Sequence, residues 1–286
     1  MYIWIFIQQL IASGTHIIVK DLTETIQPSL ILLLRAFFAA GFYIFWVIVR
    51  EKKNFRLEKK DIPVAILLGI LNIPINQYLF FIGVHLSTAP NAGLAYALSP
   101  AFVLVIALLF LKESGNWKKI TGVAIAIAGA VLIMLERGID LKSDFFIGNV
   151  LLLLASFSWA LYTILGRDFS RKYGAVYSTA VTMVIGFITY IPVYFITNEP
   201  ILAVVTFNVF DWLGILYLGI MTSGFGYLIW FWALKKMEAS KLSVFNNLQP
   251  VLTTILAIIF LHHQLTIPFL AGGVLIIGGV VLTQRG

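Results

Sequence analysis

The sequence predicts an all-α membrane protein with ten transmembrane helices, arranged as a 5+5 inverted-topology repeat with both termini in the cytoplasm. The first observation behind this prediction is composition. Of the 286 residues, 60% are hydrophobic and only 12% are charged, and the mean hydropathy is +0.96. A soluble domain is about half apolar and about a quarter charged. This chain therefore lacks the polar surface that folding in water requires, which excludes a soluble globular or disordered protein.

The second observation is the length of the apolar segments. A transmembrane helix needs about 20 mostly apolar residues, and breaks at charged residues, Gly, Pro and Asn cut the chain into segments of that length. The predicted helices cover residues 2–20, 28–49, 62–84, 89–111, 118–135, 146–166, 175–197, 211–234, 239–261 and 266–284. Barrel strands are about ten residues long and alternate strictly, which runs such as 101–111 do not.

The distribution of positive charge predicts the orientation. With ten helices, the loops on the side of the termini and the carboxyl terminus itself hold 16 of the 20 Lys and Arg residues. Cytoplasmic loops carry such an excess, so we expect a multi-pass protein of the cell (cytoplasmic) membrane. The net charge of +7 is then explained by the excess of Lys and Arg in the cytoplasmic loops. The expected partners are the lipid bilayer and a small-molecule substrate, with no nucleic acid; a monomer is compatible with the sequence.

The third observation is an internal repeat. An offset of 150 residues aligns 61–133 with 211–283 without a gap, with 16 identities that include the pairs Gly122/Gly272 and Gly129/Gly279. Each half, 1–143 and 144–286, holds five predicted helices, so equivalent helices cross the membrane in opposite directions. Inverted repeats are typical of secondary transporters, which bind substrate between the halves and expose it to each side in turn. A duplicated scaffold without transport activity is the alternative.

Two stretches carry a family resemblance. They are STAPNAGLAYALSPAFVLVIALLFLKESGNWKKITGVAIAIAGAVLI (87–133) and MEASKLSVFNNLQPVLTTILAIIFLHHQLTIPFLAGGVLIIGGVVL (237–282). Both resemble the signature half of the EamA-type drug/metabolite transporter superfamily. The resemblance implies a central cavity lined by helices 1, 3, 4, 6, 8 and 9. It also implies carriage of small metabolites, and in many bacterial members export of amino acids.

Polar side chains in the predicted helices are candidates for the substrate site, because such groups are costly in lipid unless they face protein or a water-filled cavity. Asn72 and Asn76 are four residues apart and are expected to share one face of helix 3. The further polar candidates are Ser13, His16, Asn246 and Asn247. The alternative is that these groups hold helices together.

Aromatic residues inside the helices are the second group of candidates. Their rings suit a large neutral or aromatic amino acid, or a flat organic cation; ordinary core packing is the alternative. This group contains Tyr96, Trp159, Tyr162, Tyr227 and Trp230. Bending during transport is expected at Pro74, Pro100 and Pro250.

The charged residues constrain the mechanism. All 13 acidic residues lie in predicted loops or at helix ends, so no carboxylate is expected at mid-membrane to carry protons or sodium ions. This favours facilitated diffusion or exchange, or coupling through His16. Arg35 is expected to extend toward the membrane surface or to pair structurally; binding of a substrate carboxylate is the alternative.

No enzymatic motif is present. The sequence has no His-Glu-x-x-His, Gly-x-Ser-x-Gly or phosphate-binding loop, so we expect no catalytic residue, no cofactor and no metal. The predicted function is secondary transport of a small metabolite, most simply export of an amino acid. The alternatives are an organic-cation or drug exporter, a carrier of phosphate-bearing conjugates, and an intramembrane enzyme.

Overall fold

The computed structural model describes residues 1–50, 57–110, 117–134, 143–197, 201–237 and 242–285, and no strand occurs among them. Its main helices, numbered along the chain, are α1 (Tyr2–Leu22), α2 (Pro28–Arg50), α3 (Lys59–Leu86), α4 (Ala89–Ala97 continued by Ser99–Phe110), α5 (Trp117–Met134), α6 (Asp144–Tyr173), α7 (Ala175–Ile196), α8 (Val209–Lys236), α9 (Val244–Asn247 continued by Leu248–Leu261) and α10 (Ile267–Gln284). Short 3₁₀ turns, such as Ile201–Thr206, lie between them.

Seven of these helices are long and apolar enough to cross a membrane: α1 to α4 and α6 to α8. Shorter apolar helices lie within α9 and α10. The predicted all-helical class with membrane-spanning segments is therefore confirmed. The count of ten spans stays a prediction.

The distribution of side chains is the reverse of that in a soluble protein. Large apolar side chains face outward, as shown by Ile48, Phe45 and Val274 with exposed fractions of 76%, 68% and 72%. Polar side chains such as Gln9 and Asn72 are fully buried. This arrangement suits a lipid surround, where an outward polar group would have no hydrogen-bonding partner.

Helices α5 and α10 pack through glycines at backbone contact distance. A Cβ atom added at Gly129 would lie 2.6 Å from the carbonyl oxygen of Gly272, and one at Gly279 would lie 2.5 Å from that of Gly122. Small residues let helix backbones approach this closely in membranes. Because Gly129 meets Gly272 while Gly122 meets Gly279, the two helices run antiparallel. At the 150-residue offset, Gly122 corresponds to Gly272 and Gly129 to Gly279. The contact between Gly129 and Gly272 therefore has the same form as the contact between Gly279 and Gly122.

Helices α3 and α8 each carry a glycine that packs closely against another helix, α7 in the case of α3 and α2 in the case of α8. A Cβ atom at Gly69 in α3 would lie 3.0 Å from the backbone nitrogen of Gly186 in α7. One at Gly219 in α8 would lie 3.3 Å from the carbonyl oxygen of Arg35 in α2. Gly69 and Gly219 are 150 residues apart, which is the offset of the repeat in the sequence.

Two central helices contain π-helical segments, Leu71–Gln77 in α3 and Tyr217–Gly226 in α8. A π-helix forms i→i+5 hydrogen bonds, and such segments are frequent at functional sites. Pro74 has no backbone N–H and disrupts the α-helical pattern in the first segment. Neighbouring helices supply extra bonds: Ser158 Oγ donates to the Leu71 carbonyl at 2.9 Å, and Tyr43 Oη donates to that of Gly224 at 2.5 Å.

The other two expected bending points also lie at departures from α geometry. Helix α4 is interrupted at Leu98, two residues before Pro100. Helix α9 begins as the 3₁₀ turn Val244–Asn247 and becomes α-helical just before Pro250. Motion at these points stays a prediction.

The glycine contact between α5 and α10 gives a direct test of packing. Changing Gly279→Leu places a side chain against the backbone of Gly122 and Ala126, and overpacking of this kind costs about 1–3 kcal/mol. We expect a thermal unfolding midpoint several degrees below that of the parent protein, measured by fluorescence-detected size exclusion in detergent. The matched control is Gly278→Leu, because a Cβ atom at Gly278 meets nothing within 4 Å. Equal midpoints for the two variants would contradict the assignment.

Candidate substrate-binding site

A cavity of about 60 Å³ lies between α1, α2, α3, α4, α6, α8 and α9. Its walls are formed by Gln8, Ile11, Ala12, Thr15, His16, Arg35, Asn76, Gln77, Phe80, Tyr96, Trp159, Thr222, Gly226, Tyr227 and Gln249. The six helices implied by the family resemblance all contribute, and α2 adds Arg35. The volume holds only a few water molecules, so a metabolite needs the helices to separate.

The π segment of α3 decides which amides reach the cavity. Gln77 Nε2 donates to Asn72 Oδ1 at 3.1 Å, so residues five apart share a face, as i→i+5 geometry requires. The shared face that α-helical spacing predicts for Asn72 and Asn76 does not bring both amides to the cavity, because only Asn76 is among its lining residues. Asn76 and Gln77 line the cavity. Asn72 lies behind them, where its Nδ2 contacts Met183 Sδ at 3.5 Å.

Asn76 ties three helices together at the cavity wall. Its Nδ2 donates to Tyr96 Oη in α4 at 2.8 Å and to the carbonyl oxygen of Ala155 in α6 at 2.7 Å. These bonds fix the amide and leave its oxygen available. Asn76 is thus a rigid polar contact rather than a mobile one.

The aromatic wall centres on Trp159. Its ring centroid lies 5.3 Å from those of Tyr227 and Trp230 and 5.6 Å from that of Tyr162. Trp159 and Tyr227 face the cavity, whereas Tyr162 and Trp230 are fully buried behind them. Gln77 Nε2 donates to Tyr227 Oη at 3.2 Å, which connects the aromatic wall to the amides of α3.

His16 is a fixed part of the opposite wall. Its Nδ1 lies 3.1 Å from Thr253 Oγ1, and its ring packs 5.2 Å from Phe80 and 5.8 Å from Tyr96 between centroids. The preceding residue of α1 is tied to α8, because Thr15 Oγ1 and Thr222 Oγ1 are 2.7 Å apart. Contacts of this kind hold α1 against α8 and α9 around the cavity.

Arg35 turns inward instead of toward the membrane surface. Its side chain is 3% exposed, its Nε donates to Ser223 Oγ at 2.8 Å, and its guanidinium carbon lies 5.4 Å from the centroid of the Phe81 ring. The expectation of extension toward the surface is therefore wrong. Ion pairs among the described residues include those of Glu58, Lys60, Asp61 and Lys172, far from Arg35 in sequence. None of the carboxylates in the described ranges pairs with Arg35.

A ladder of amides joins α1 to α9 at one end of the cavity. Gln249 Nε2 donates to Gln9 Oε1 at 2.9 Å, and Gln9 Nε2 donates to Asn246 Oδ1 at 3.1 Å and to Gln8 Oε1 at 2.8 Å. Gln249 Oε1, like Gln77 Oε1 in α3, is buried without a hydrogen-bonding partner. Two amide oxygens that can accept hydrogen bonds are thus present on residues of the wall.

The residues predicted from sequence fall into two groups. Five line the cavity: His16, Asn76, Tyr96, Trp159 and Tyr227. The remainder lie outside the lining: Ser13, Asn72, Tyr162, Trp230, Asn246 and Asn247. Sequence reasoning did not single out Gln77, Phe80 and Thr222. Pro74 is the signal that could have revealed Gln77, because a proline inside a helix shifts the register of the residues that follow.

Metal or cofactor ligands do not form a comparable cluster. In the ranges that the structure covers, no group of three or more His, Asp or Glu side chains gathers closely enough to hold a metal ion. The chemistry available in the cavity is hydrogen bonding, one cationic group and aromatic contact.

Known proteins resemble this chain along its whole length. The EamA-like transporter family matches residues 1–135 and 146–285. The "Uncharacterized transporter YyaM" of Bacillus subtilis is 31% identical over 250 residues, which cover 87% of this chain and 81% of that protein. An "Uncharacterized transporter" of Archaeoglobus fulgidus is 30% identical over 268 residues, 93% of this chain and 92% of that protein.

More distant similarities agree with these. The "WAT1-related protein At4g30420" of Arabidopsis thaliana is 25% identical, covering 97% of this chain and 83% of that protein. A solved crystal structure with 19% identity superposes with a TM-score of 0.71 over 99% of this chain and 96% of its own, which shows the shared fold. The chain is a multi-pass membrane protein that belongs to the EamA-like transporter family.

Proposed function

We propose that this protein is a secondary transporter that carries an amino acid, with aromatic or large neutral side chains favoured, across the cytoplasmic membrane by alternating access. The observation that carries the proposal is the composition of the cavity wall. A guanidinium, two unpaired amide oxygens and a set of aromatic rings lie around one space. These groups match the carboxylate, the ammonium and the side chain of an amino acid.

The carboxylate is assigned to Arg35. Guanidinium groups bind carboxylates through two parallel hydrogen bonds, which adds geometric selection to charge attraction. Arg35 is the one cationic residue of the wall apart from the titratable His16. Its Nε is already bonded to Ser223, so the terminal nitrogens remain for substrate.

The ammonium is assigned to the amide oxygens and the aromatic faces. Gln77 Oε1 and Gln249 Oε1 are buried acceptors without partners, and an unsatisfied buried acceptor costs about 1–3 kcal/mol. An ammonium donor would remove that cost. Trp159 and Tyr227 add ring faces that attract cations, and with Phe80 they offer an apolar surface for the side chain.

Alternating access is assigned to two five-helix halves, residues 1–143 and 144–286, in ten membrane spans of inverted topology. Three findings support this arrangement. They are the two separate family matches, the contacts between α5 and α10 made by glycines that lie 150 residues apart in sequence, and the π segments present in both α3 and α8. We assign bending to Pro74, Pro100 and Pro250, where each helix departs from α geometry. Export is the direction that the family resemblance favours.

The decisive experiment measures flux in proteoliposomes. Labelled aromatic, branched and small amino acids are tested with and without a pH gradient, beside a lipophilic aromatic cation. We expect saturable flux of aromatic and large neutral amino acids and none of the cation, because Arg35 repels positive charge. Saturable flux of the cation alone would replace the proposal with an organic-cation exporter, and absence of any flux with correctly oriented protein would contradict transport of these classes.

The assignment of the substrate carboxylate to Arg35 can be tested with a compound that lacks this group. In the parent protein we expect phenylalanine to be preferred over phenylalaninamide, which lacks the carboxylate. Arg35→Gln removes a charged hydrogen bond of about 1.5–3 kcal/mol, so KM for phenylalanine should rise by roughly ten- to a hundredfold and the preference should disappear. Arg35→Lys should keep part of it. A purely structural role would lower flux of both compounds equally.

The aromatic wall offers a matched pair of tryptophans. Trp159 lines the cavity and Trp230 packs behind it, with 5.3 Å between their ring centroids. We expect Trp159→Leu to reduce the ratio of phenylalanine flux to alanine flux several-fold, because the ring that contacts an aromatic substrate is lost. Trp230→Leu should lower thermal stability and leave this ratio unchanged. An equal effect of both variants on the ratio would argue against the assigned lining.

A further inference from the structure

A second concavity lies away from the central cavity, at one end of the helical bundle. It is a cleft of about 480 Å³ whose walls include Trp4, Tyr173, Tyr177, Leu228, Ile229 and Trp232. None of these residues lines the central cavity. We refer to it as the aromatic cleft.

The chain path explains why this cleft forms. Helix α6 ends at Tyr173 and α7 begins at Ala175, with only Gly174 between them. Gly174 has φ of +84°, in the left-handed region that favours glycine, and a Cβ atom there would meet no other atom within 4 Å. The abrupt reversal leaves open space beside α8, and the start of α1 closes it with Trp4.

The cleft lies where four helices begin or end. Its walls come from the first turn of α1, the last turn of α6, the first turn of α7 and the last two turns of α8. Trp and Tyr are enriched at the membrane boundary because their rings combine an apolar body with a polar group that reaches the lipid headgroups. The aromatic cleft therefore faces lipid headgroups and the upper part of the acyl chains.

Lysines are stacked on two of its aromatic walls. Lys236 Nζ lies 4.2 Å from the centroid of the Trp232 ring, and Lys172 Nζ lies 5.1 Å from that of Tyr173. Lys172 is neutralised, since its Nζ is 2.8 Å from Glu58 Oε1 and 2.5 Å from Asp61 Oδ2. Lys236 pairs with no acidic side chain in the described part of the chain. The rim of the cleft thus keeps an exposed positive charge.

We propose that the aromatic cleft binds one anionic phospholipid, with its phosphate at Lys236 and an acyl chain along Trp232, Leu228 and Ile229. Charge complementarity selects this occupant. A zwitterionic phospholipid has the same phosphate, but its cationic headgroup offsets the attraction to Lys236, and basic juxtamembrane groups favour anionic headgroups. The site is independent of the assigned substrate.

Lipid titration of the purified protein in detergent tests this proposal. Phosphatidylglycerol and phosphatidylcholine are added separately, and bound lipid is counted by native mass spectrometry while the thermal unfolding midpoint is followed. We expect one phosphatidylglycerol to be retained and to raise the midpoint, with phosphatidylcholine at least several-fold weaker. Equal binding of the two lipids would overturn the proposal.

Two substitutions locate the site. Lys236→Gln should weaken phosphatidylglycerol binding about fivefold, the effect expected for one lysine near an anionic headgroup. Lys235→Gln makes the same charge change one residue earlier in α8 and is the matched control, with parent-like affinity. An equal loss in both variants would show a diffuse charge effect and contradict a defined site.

The acyl chain is tested separately from the headgroup. Trp232→Leu should reduce retention of phosphatidylglycerol, because the apolar wall and the platform for Lys236 are both lost. Soluble glycerol phosphate should not compete with the lipid at equal concentration. Effective competition by glycerol phosphate would mean that the site recognises a free phosphate, and would contradict the lipid assignment.

Discussion

The structure depends on one constraint: polar groups must find partners inside the helical bundle, because lipid offers none. Gln9 and Asn76 meet this constraint through hydrogen bonds that join α1 to α9 and α3 to α4 and α6. The same bonds hold the cavity open between these helices. Arg35 is bonded to Ser223 and to no carboxylate in the described structure, and Gln77 Oε1 and Gln249 Oε1 have no hydrogen-bonding partner.

The sequence predicts much of the fold because hydropathy and helix length are local properties. The expected segment 28–49 corresponds to Pro28–Arg50, and 175–197 corresponds to Ala175–Ile196. The predicted helix ends at 166, because Arg167 and Asp168 resemble loop residues, whereas α6 continues to Tyr173. The helix continues past them where the bundle meets the membrane boundary, since charged side chains are tolerated there.

The site was predictable only in part, for a geometric reason. Spacing in sequence gives the face of a residue only if the helix keeps 3.6 residues per turn. The π segment around Pro74 breaks that rule, so Gln77 bonds to Asn72 from five residues away and joins Asn76 in the cavity wall. The direction of Arg35 depends on Ser223, 188 residues away in sequence. No local pattern contains that information.

The glycine contact between α5 and α10 also limits how this chain can evolve. At Gly129 and Gly279 the nearest opposing atoms are carbonyl oxygens of the other helix, and main-chain atoms are the same whatever residue stands there. A harmful substitution at such a glycine cannot be suppressed by trimming a side chain on the opposite helix. Genetic suppressors of these lesions should therefore map to the flanks of the two helices, where they change the spacing between the backbones.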